Sequence, residues 1–338
     1  MALRNFNFFR TLDKDNKELV HSAFIKYLMQ YNDIFYTEFI KTDKRYVEPK
    51  LEKQYTLTKK QKGRVDIESV SEDNSTLVII ENKFKSFPYQ EQFLFYDRIL
   101  KKHHKDKKII KLLICFDKEF AENYSGWIVR DYRDLLTFIA AHYPMDSRDD
   151  HSVFIRHYYN ALNEYFQEYG KLEQNFRELF LNLKSDSNKF WLKLFYSALK
   201  VRLETYISEN DIDAYVYINN GNTTVPLLNI VPKSWNIHNN ELLIQLQGND
   251  IKFYSHSNNK PFLSNMVEFA RLQFPEIPYE YKKESNRNSK TQFILKTKVL
   301  DEIPSIVNVD FLFELVIKFY TALTENVILK YDNVTSYK

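Results

Sequence analysis

Two short stretches decide the fold and most of the chemistry of this chain. They are Gly63-Arg64-Val65-Asp66-Ile67 and Val78-Ile79-Ile80-Glu81-Asn82-Lys83. Each contains the β-branched residues that are typical of strands, and polar residues at 71–76 separate them with a turn. The sequence therefore predicts two adjacent strands, and a hairpin is the shortest way to connect them.

The polar residues of these strands fall at positions where they can meet. Side chains alternate along a strand, so Glu81 and Lys83 share one face of the sheet and Asn82 points to the other. If the turn pairs the strands as a hairpin, Asp66 can face Glu81. The pattern predicts two carboxylates and one lysine converging at a strand end.

Such a group of side chains suits metal-assisted hydrolysis. Neighbouring buried carboxylates repel each other unless a cation neutralises them. Mg²⁺ accepts one or two carboxylates while keeping several waters, and Lys83 can hold or polarise an attacking water. Phosphodiester hydrolysis needs an activated water, a cation on the phosphate and stabilisation of the leaving oxygen.

Two helices supply further polar groups. A helix is expected from Pro88 to about Lys102, and it places Gln92 and Tyr96 one turn apart on the same face. Because this helix follows the strand of Glu81, its polar face can close over the predicted site. A helix over residues 13–31 offers Glu18 as a third carboxylate.

The spacing of apolar residues in the helix at 13–31 predicts which side is buried. One apolar stripe is expected to face the core, and a second face carries polar groups next to one apolar residue. We expect His21, on the second face, to be a structural histidine. The stripe comprises Leu19, Ala23, Phe24, Tyr27 and Leu28, and the second face comprises Glu18, His21, Ser22 and Ile25.

The order of the predicted elements indicates an α/β core. Helix 13–31 is followed by three strands, the helix that starts at Pro88 and a buried apolar strand, and then by a short strand and a helix. The order is αβββαβ, followed by βα, which predicts a mixed central sheet flanked by helices. The expected strands are 45–57, 64–70, 76–83, 109–116 and 127–129, and the last helix is 132–142.

Residues 143–150 interrupt this pattern and suggest a boundary between domains. We predict one domain over 1–145 and an α+β region over 146–338. The second region is expected to be helical over 151–208, with a break near residue 170, and strand-rich over 213–299. It is expected to end in a helix over 307–329.

Composition excludes several classes of protein. With only five glycines among 338 residues, neither the P-loop motif nor the dinucleotide-binding motif can be written. The single cysteine, Cys115, lies in an apolar run, so we expect a small buried side chain. The N-terminus lacks the apolar stretch of a signal peptide and no segment is long enough to span a membrane, so a soluble, cytoplasmic protein is expected.

Basic residues concentrate around the predicted site. Residues 51–115 contain 14 Lys and Arg against 9 Asp and Glu, an excess of five positive charges. Basic runs can neutralise phosphates, so nucleic acid is the expected partner. The pair His103 and His104 is expected to be solvated. The candidate contacts are Lys59, Lys60, Lys62, Arg64, Lys85, Lys101 and Lys102.

Taken together, Asp66, the Glu81-Asn82-Lys83 element and Gln92-x-x-x-Tyr96 resemble the PD-(D/E)XK nuclease superfamily, and the last element is similar to that of recombination-type exonucleases. The opening Glu18-x-x-His21-Ser22 and the stretch from Trp127 to Asp131-Tyr132-Arg133-Asp134-Leu135 resemble a bacterial branch of that superfamily. The resemblance covers roughly residues 13–140. It implies a restriction-endonuclease-like fold and a Mg²⁺- or Mn²⁺-dependent nuclease. Val65 stands where many members have proline before the aspartate.

The resemblance also implies a role for each matching residue. Asp66 and Glu81 would bind the metal with help from the Asn82 carbonyl, and Lys83 would be the catalytic lysine. Glu18 would be an extra ligand or hold a water. Gln92 and Tyr96 would orient metal, water or phosphate.

The favoured interpretation is a nuclease that acts on DNA. One alternative is a non-catalytic module that binds nucleic acid or protein on a nuclease fold. Another is a defence or regulatory factor whose cleavage depends on a partner. The sequence leaves open endonuclease or exonuclease action, DNA or RNA as substrate, and the oligomeric state.

Overall fold

The computed structural model describes most of the chain and divides it by internal contacts into two units, Met1–Glu168 and Tyr169–Lys338. The break at residues 143–150, which suggested a boundary after residue 145, lies between two helices of the first unit. The described residues are 6–12, 17–59, 61–84, 90–118, 124–181, 186–219, 225–255, 257, 259–274, 280–281, 293–298 and 307–331.

The first unit contains a mixed five-stranded sheet with helices, as the sequence predicted. The strand order is β1-β2-β3-β4-β5, with antiparallel pairing from β1 to β3 and parallel pairing from β3 to β5. In chain order the elements are α1 (Phe8–Thr11), α2 (Glu18–Tyr31), a π-helical turn (Phe35–Ile40), β1 (Lys50–Thr58), β2 (Gln61–Val70), β3 (Thr76–Lys83), α3 (Gln90–His103), β4 (Lys108–Cys115), β5 (Trp127–Asp131), α4 (Tyr132–His142) and α5 (Asp150–Gln174).

Strand β3 lies in the middle of the sheet and is buried along almost its whole length. Its side chains from Thr76 to Asn82 are all buried, which explains the continuous β-branched run in the sequence. On the side of α3, Leu77 and Ile79 pack with Phe93, Ile99 and other apolar residues in one cluster. This packing places α3 over the strand that carries Glu81.

Helix α2 buries only part of the predicted stripe, since Phe24 and Leu28 are buried. Leu19 and Ala23 are exposed, whereas His21 and Ser22 are buried together with Ile25. Ser22 accepts a hydrogen bond from Asn82 of β3, and Nδ1 of His21 lies 2.7 Å from the hydroxyl of Tyr158 in α5. The apolar periodicity was therefore wrong at its N-terminal end, because a polar face is buried there.

Histidine 104 also differs from the expectation that the histidine pair is solvated. Its Nε2 lies 2.9 Å from the hydroxyl of Tyr55, which donates a short hydrogen bond to the buried Glu68 carboxylate. Burial lowers the pKa of His104. Next to it, His103 is exposed and lies 2.9 Å from the Thr56 carbonyl. The end of α3 is thus attached to strands β1 and β2.

The second unit contains a largely antiparallel sheet with helices around it. The strand order is β11-β12-β10-β9-β7-β6, and β8 pairs with β9. Its elements, after the end of α5, are α6 (Arg177–Leu181), α7 (Asp186–Glu209), β6 (Ala214–Asn219), β7 (Leu227–Pro232), a 3-10 turn (Lys233–Trp235), β8 (Asn236–Ile237), β9 (Asn240–Gln247), β10 (Asp250–Ser255), α8 (Lys260–Gln273), β11 (Glu280–Tyr281), β12 (Phe293–Lys298), α9 (Val309–Leu323) and a π-helical turn (Thr324–Ile328).

Helix α5 is longer than the sequence pattern predicted. It runs through Gly170 without a break, and a Cβ atom at that position would meet nothing within 4 Å. Glycine weakens a helix but does not end one when neighbouring residues hold the backbone. Of the helices that the structure describes, none is long and apolar enough to cross a membrane.

The burial of α2 gives a stability prediction. Leu28 is fully buried and Leu19 is 52% exposed on the same helix. We expect Leu28→Ala to lower the free energy of unfolding by about 2–5 kcal/mol. Leu19→Ala is the matched control and should change it by no more than about 0.5 kcal/mol. Urea denaturation measures both values, and equal losses would show that Leu19 belongs to the core.

Candidate active site

The site begins where β2 and β3 end their pairing. The antiparallel register includes the pair Ile67 and Ile80, one position before Asp66 and Glu81. The Oδ2 atom of Asp66 accepts a 2.7 Å hydrogen bond from the backbone N–H of Asn82. This bond fixes the Asp66 carboxylate beside the Glu81-Asn82-Lys83 element, as the hairpin interpretation predicted.

Backbone strain occurs opposite Asp66. On β1, Leu51 pairs with Ile67 and Lys53 pairs with Val65, so Glu52 lies across from Asp66. The φ angle of Glu52 is 51°, in the left-handed region that side chains with a Cβ disfavour. Such strain persists where the surrounding structure holds it, and it is concentrated at functional sites.

The carboxylate of Glu81 is only half satisfied by hydrogen bonds. Its Oε1 atom lies 2.7 Å from the Lys83 ammonium and accepts a 2.8 Å hydrogen bond from Nε2 of Gln92. Its Oε2 atom is buried and has no hydrogen-bond partner among the residues that the structure describes. The same holds for Oε1 of Gln92. Two buried acceptor oxygens therefore need a donor or a cation.

Helix α3 contributes its polar face to the same place. Gln92 Nε2 donates to the hydroxyl of Tyr96 at 2.8 Å, and this hydroxyl donates to the backbone carbonyl of Arg64 at 2.8 Å. Burial and the charge of Glu81 raise the pKa of Tyr96, so its hydroxyl stays protonated. The helical spacing of Gln92 and Tyr96 thus brings both to Glu81, as the sequence predicted.

Burial dominates the electrostatics of the site. It raises the pKa of Glu81 to about 7, with Lys83 opposing the shift and Asp66 adding to it. Burial also raises the pKa of Asp66, although the Asn82 N–H opposes this. Burial alone would lower the pKa of Lys83, but the charges of Glu81, Glu18 and Asp66 raise it overall. The site thus keeps its lysine charged and raises the pKa of both carboxyl groups.

Glu18 lies at the edge of this group. Its charge raises the pKa of Asp66, which places it within electrostatic reach. Among the described residues, no three or more His, Cys, Asp or Glu side chains are grouped so as to hold a metal ion. As the side chains stand, the site offers a pair of carboxylates, with Glu18 outside it.

The donor set fits a hard divalent cation. Oxygen atoms of Asp66 and Glu81, with the Oε2 atom of Glu81 lacking a donor in the described part of the chain, match the one or two carboxylates that Mg²⁺ accepts. The carbonyl oxygens of Asn82 and Gln92 are further candidate ligands, because they are oxygen atoms of the same hard type.

Asn82 faces away from the carboxylates, as the strand alternation predicted. Its side chain is fully buried and its Nδ2 donates to the Glu18 carbonyl and to the Ser22 hydroxyl, both at 3.0 Å. Its Oδ1 accepts a short hydrogen bond from Tyr132. The sequence did not identify Ser22 and Tyr132 as site residues. The available signal was that both lie in the elements that resemble a bacterial branch of the family, Glu18-x-x-His21-Ser22 and Asp131-Tyr132-Arg133-Asp134-Leu135.

The predicted nucleic-acid contacts lie on exposed surface where they are described. Lys102 donates to the Leu57 carbonyl at 2.7 Å, which joins the end of α3 to the β1–β2 hairpin. Arg64 pairs with Glu52 at 2.8 Å. Lys60 and Lys85 lie outside the described residues. The exposed contacts are Lys59, Lys62, Arg64, Lys101 and Lys102.

Comparison with known proteins agrees with this geometry. A search of curated proteins and a search of solved structures each found no significant match. A family model described as PD-(D/E)XK nuclease superfamily matches residues 6–169, which is almost the whole of the first unit and includes Asp66, Glu81, Lys83 and Gln92. The segment of this chain from residue 6 to residue 169 belongs to the PD-(D/E)XK nuclease superfamily.

Proposed function

We propose that this protein is a metal-dependent nuclease that hydrolyses phosphodiester bonds, with DNA as the favoured substrate. The observation that carries the proposal is the buried Glu81 carboxylate, which has one oxygen bonded to Lys83 and Gln92 and the other without a partner among the described residues. Burial of an incompletely paired carboxylate is costly, and such groups cluster at functional sites.

The residues of the site have complementary roles in this proposal. Asp66 and Glu81 would hold Mg²⁺ or Mn²⁺, assisted by the Asn82 carbonyl. When bound, the ion would supply positive charge to the scissile phosphate and to the attacking water. Lys83, charged and 2.7 Å from Glu81, would orient that water and offset the negative charge of the transition state.

Gln92 and Tyr96 would fix the geometry of Glu81 without changing its charge. Gln92 donates a hydrogen bond to the Glu81 carboxylate, and Tyr96 anchors Gln92 to the backbone of β2. Orientation of reacting groups can contribute much of a rate enhancement. Both residues are therefore proposed to act on turnover more than on binding of the substrate.

The basic surface supports nucleic acid as the substrate. Lys102 ties the end of α3 to the β1–β2 hairpin, so two runs distant in sequence form one surface. Ten residues of helix separate Lys102 from Gln92, which is about 15 Å along the helix axis. A polyanion that contacts Lys59, Lys62, Lys101 and Lys102 would thus need to extend only a short distance to reach the carboxylates.

Incubation of the purified full chain with linear duplex, circular duplex and single-stranded DNA and with RNA, in Mg²⁺, Mn²⁺ or EDTA, tests the proposal. We expect cleavage that requires the metal. Binding of nucleic acid without cleavage in any metal would instead support the non-catalytic alternative. Cleavage that appears only after addition of a cell extract would support activation by a partner.

The first prediction from the site concerns its carboxylates. Asp66→Asn and Glu81→Gln keep the shape of the side chains but remove the charge that holds a cation. We expect each to lower the cleavage rate by about 10²–10³-fold. Glu91→Gln removes an exposed carboxylate from the first turn of α3 and should leave the rate unchanged. Cleavage by either site variant at the wild-type rate in limiting Mg²⁺ would refute the assignment.

A second prediction separates turnover from binding at Gln92. Gln92→Ala removes the hydrogen bond to Glu81 without removing charge. We expect the single-turnover rate to fall by about tenfold or more while oligonucleotide affinity stays nearly constant. Gln54→Ala, on the exposed side of β1, is the control and should change neither quantity. Normal turnover by Gln92→Ala would show that Gln92 has no role in catalysis.

A third prediction follows from the raised pKa of Glu81, about 7. Below that pH the metal-free site holds a proton that a cation must displace. We expect Mn²⁺ binding to release about one proton at about pH 6 and few at about pH 8.5, so that affinity rises with pH and then levels off. Calorimetry in buffers of different ionisation enthalpy counts these protons.

The control for this measurement is Glu81→Gln, which has no carboxyl group to titrate at that position. Its metal binding should be weak and should lack the proton release near neutral pH. Proton release by the wild-type protein that does not change over this pH range would contradict the assignment of Glu81 as a ligand.

A further inference from the structure

The side chain of Asn82 lies at the centre of a buried polar network behind the site. It is fully buried and makes three hydrogen bonds, to the Glu18 carbonyl, the Ser22 hydroxyl and the Tyr132 hydroxyl. Its backbone N–H makes a fourth, to Asp66. One residue thereby connects helix α2, strand β3 and helix α4 to a carboxylate of the site.

The partners of Asn82 are themselves held in place. The Ser22 hydroxyl donates to the Glu18 carbonyl at 3.0 Å, inside the first turn of α2. Tyr132 is the first residue of α4, whose start is fixed by a capping box between Asp131 and Asp134. Both Ser22 and Tyr132 are buried. The network therefore offers Asn82 a single orientation.

A second layer extends the network to α5. The ring of His21 packs edge to face against Tyr132 at 5.2 Å, and its Nδ1 lies 2.7 Å from the Tyr158 hydroxyl. His21 also stacks on Phe84, the residue that follows Lys83, at 3.8 Å. The contact with Tyr158 thus joins α5 to α2 within the first unit.

We propose that Tyr132 and Ser22 are positioning residues of the metal site and act through Asn82. The inference rests on the proposed function, because it assigns them an effect on the same carboxylates. Asn82 lies between Glu81 and Lys83 in the chain, so a rotation of its peptide moves both neighbours. The same peptide supplies the N–H that fixes Asp66.

The physical reason lies in the cost of an unsatisfied buried amide. Removal of the Tyr132 hydroxyl leaves the buried Oδ1 atom of Asn82 without that donor. The free energy then favours a rotation of the side chain toward another donor. Residues that support metal ligands through hydrogen bonds set the orientation of those ligands. Their removal changes metal affinity by about 10–100-fold.

The test is calorimetric titration of the full chain with Mn²⁺, together with cleavage kinetics. Tyr132→Phe removes only the hydroxyl, and we expect Mn²⁺ affinity to fall by about 10–100-fold. We expect kcat to fall while the KM for DNA stays within about twofold, because the basic surface is untouched. Ser22→Ala should act in the same direction and less strongly, since Asn82 Nδ2 keeps the Glu18 carbonyl.

Tyr143→Phe is the matched control. The Tyr143 hydroxyl accepts a 2.9 Å hydrogen bond from Nδ2 of Asn32, which is another tyrosine–asparagine pair in the same unit away from the site. We expect its Mn²⁺ affinity and kcat to equal those of the wild type, although its thermal stability should fall. If Tyr132→Phe does not fold, Ser22→Ala with the same control decides the question.

The outcomes separate this inference from the proposed function. Wild-type protein that neither binds Mn²⁺ nor cleaves would refute the proposed function itself. Wild-type protein that binds Mn²⁺, with Ser22→Ala and Tyr132→Phe binding it equally well and losing only stability, would overturn the inference and leave the proposed function standing. Loss of Mn²⁺ affinity in both variants but not in Tyr143→Phe supports it.

Discussion

The arrangement of the first unit depends on the burial of one charged group, the carboxylate of Glu81. It is 1% exposed and ends an apolar run of β3 that packs under helix α3. Burial of a carboxyl group favours its neutral form, and here the pKa rises to about 7 despite Lys83 at 2.7 Å. Lys83 and Gln92 offset part of this cost at one carboxylate oxygen, and the other has no hydrogen-bond partner among the described residues.

Strand alternation divides the site into a reactive face and a supporting face. Glu81 and Lys83 point toward α3, where Gln92 donates to Glu81. Asn82 points the other way, where Ser22 and Tyr132 hold its amide. Glu81, Asn82 and Lys83 are consecutive in the chain. The contacts on one face therefore constrain the residues on the other through the shared backbone. Such rigidity would serve the proposed hydrolysis, since a small displacement of a reacting group can cost much of the rate.

Some features were predictable because they depend on short-range periodicity. The bounds of β3 and α4 match the prediction, and the spacing of Gln92 and Tyr96 placed them on one helical face. The buried side of α2 was not predictable in the same way, since Leu19 is exposed while Ser22 is buried. A hydrophobic pattern assumes that the core is apolar, and here the core contains an amide that requires polar partners.

The sequence by itself determined the composition of the reactive group, because alternation along β3 and one helical turn of α3 place Glu81, Lys83 and Gln92 on facing surfaces. Tertiary structure alone decided how the buried amide of Asn82, between Glu81 and Lys83, is satisfied. The hydrogen bond from Tyr132 to Asn82 joins residues 50 positions apart, and that from Ser22 joins residues 60 positions apart. No local pattern encodes such pairs, since a buried polar group selects its partner by distance and direction once the chain has folded.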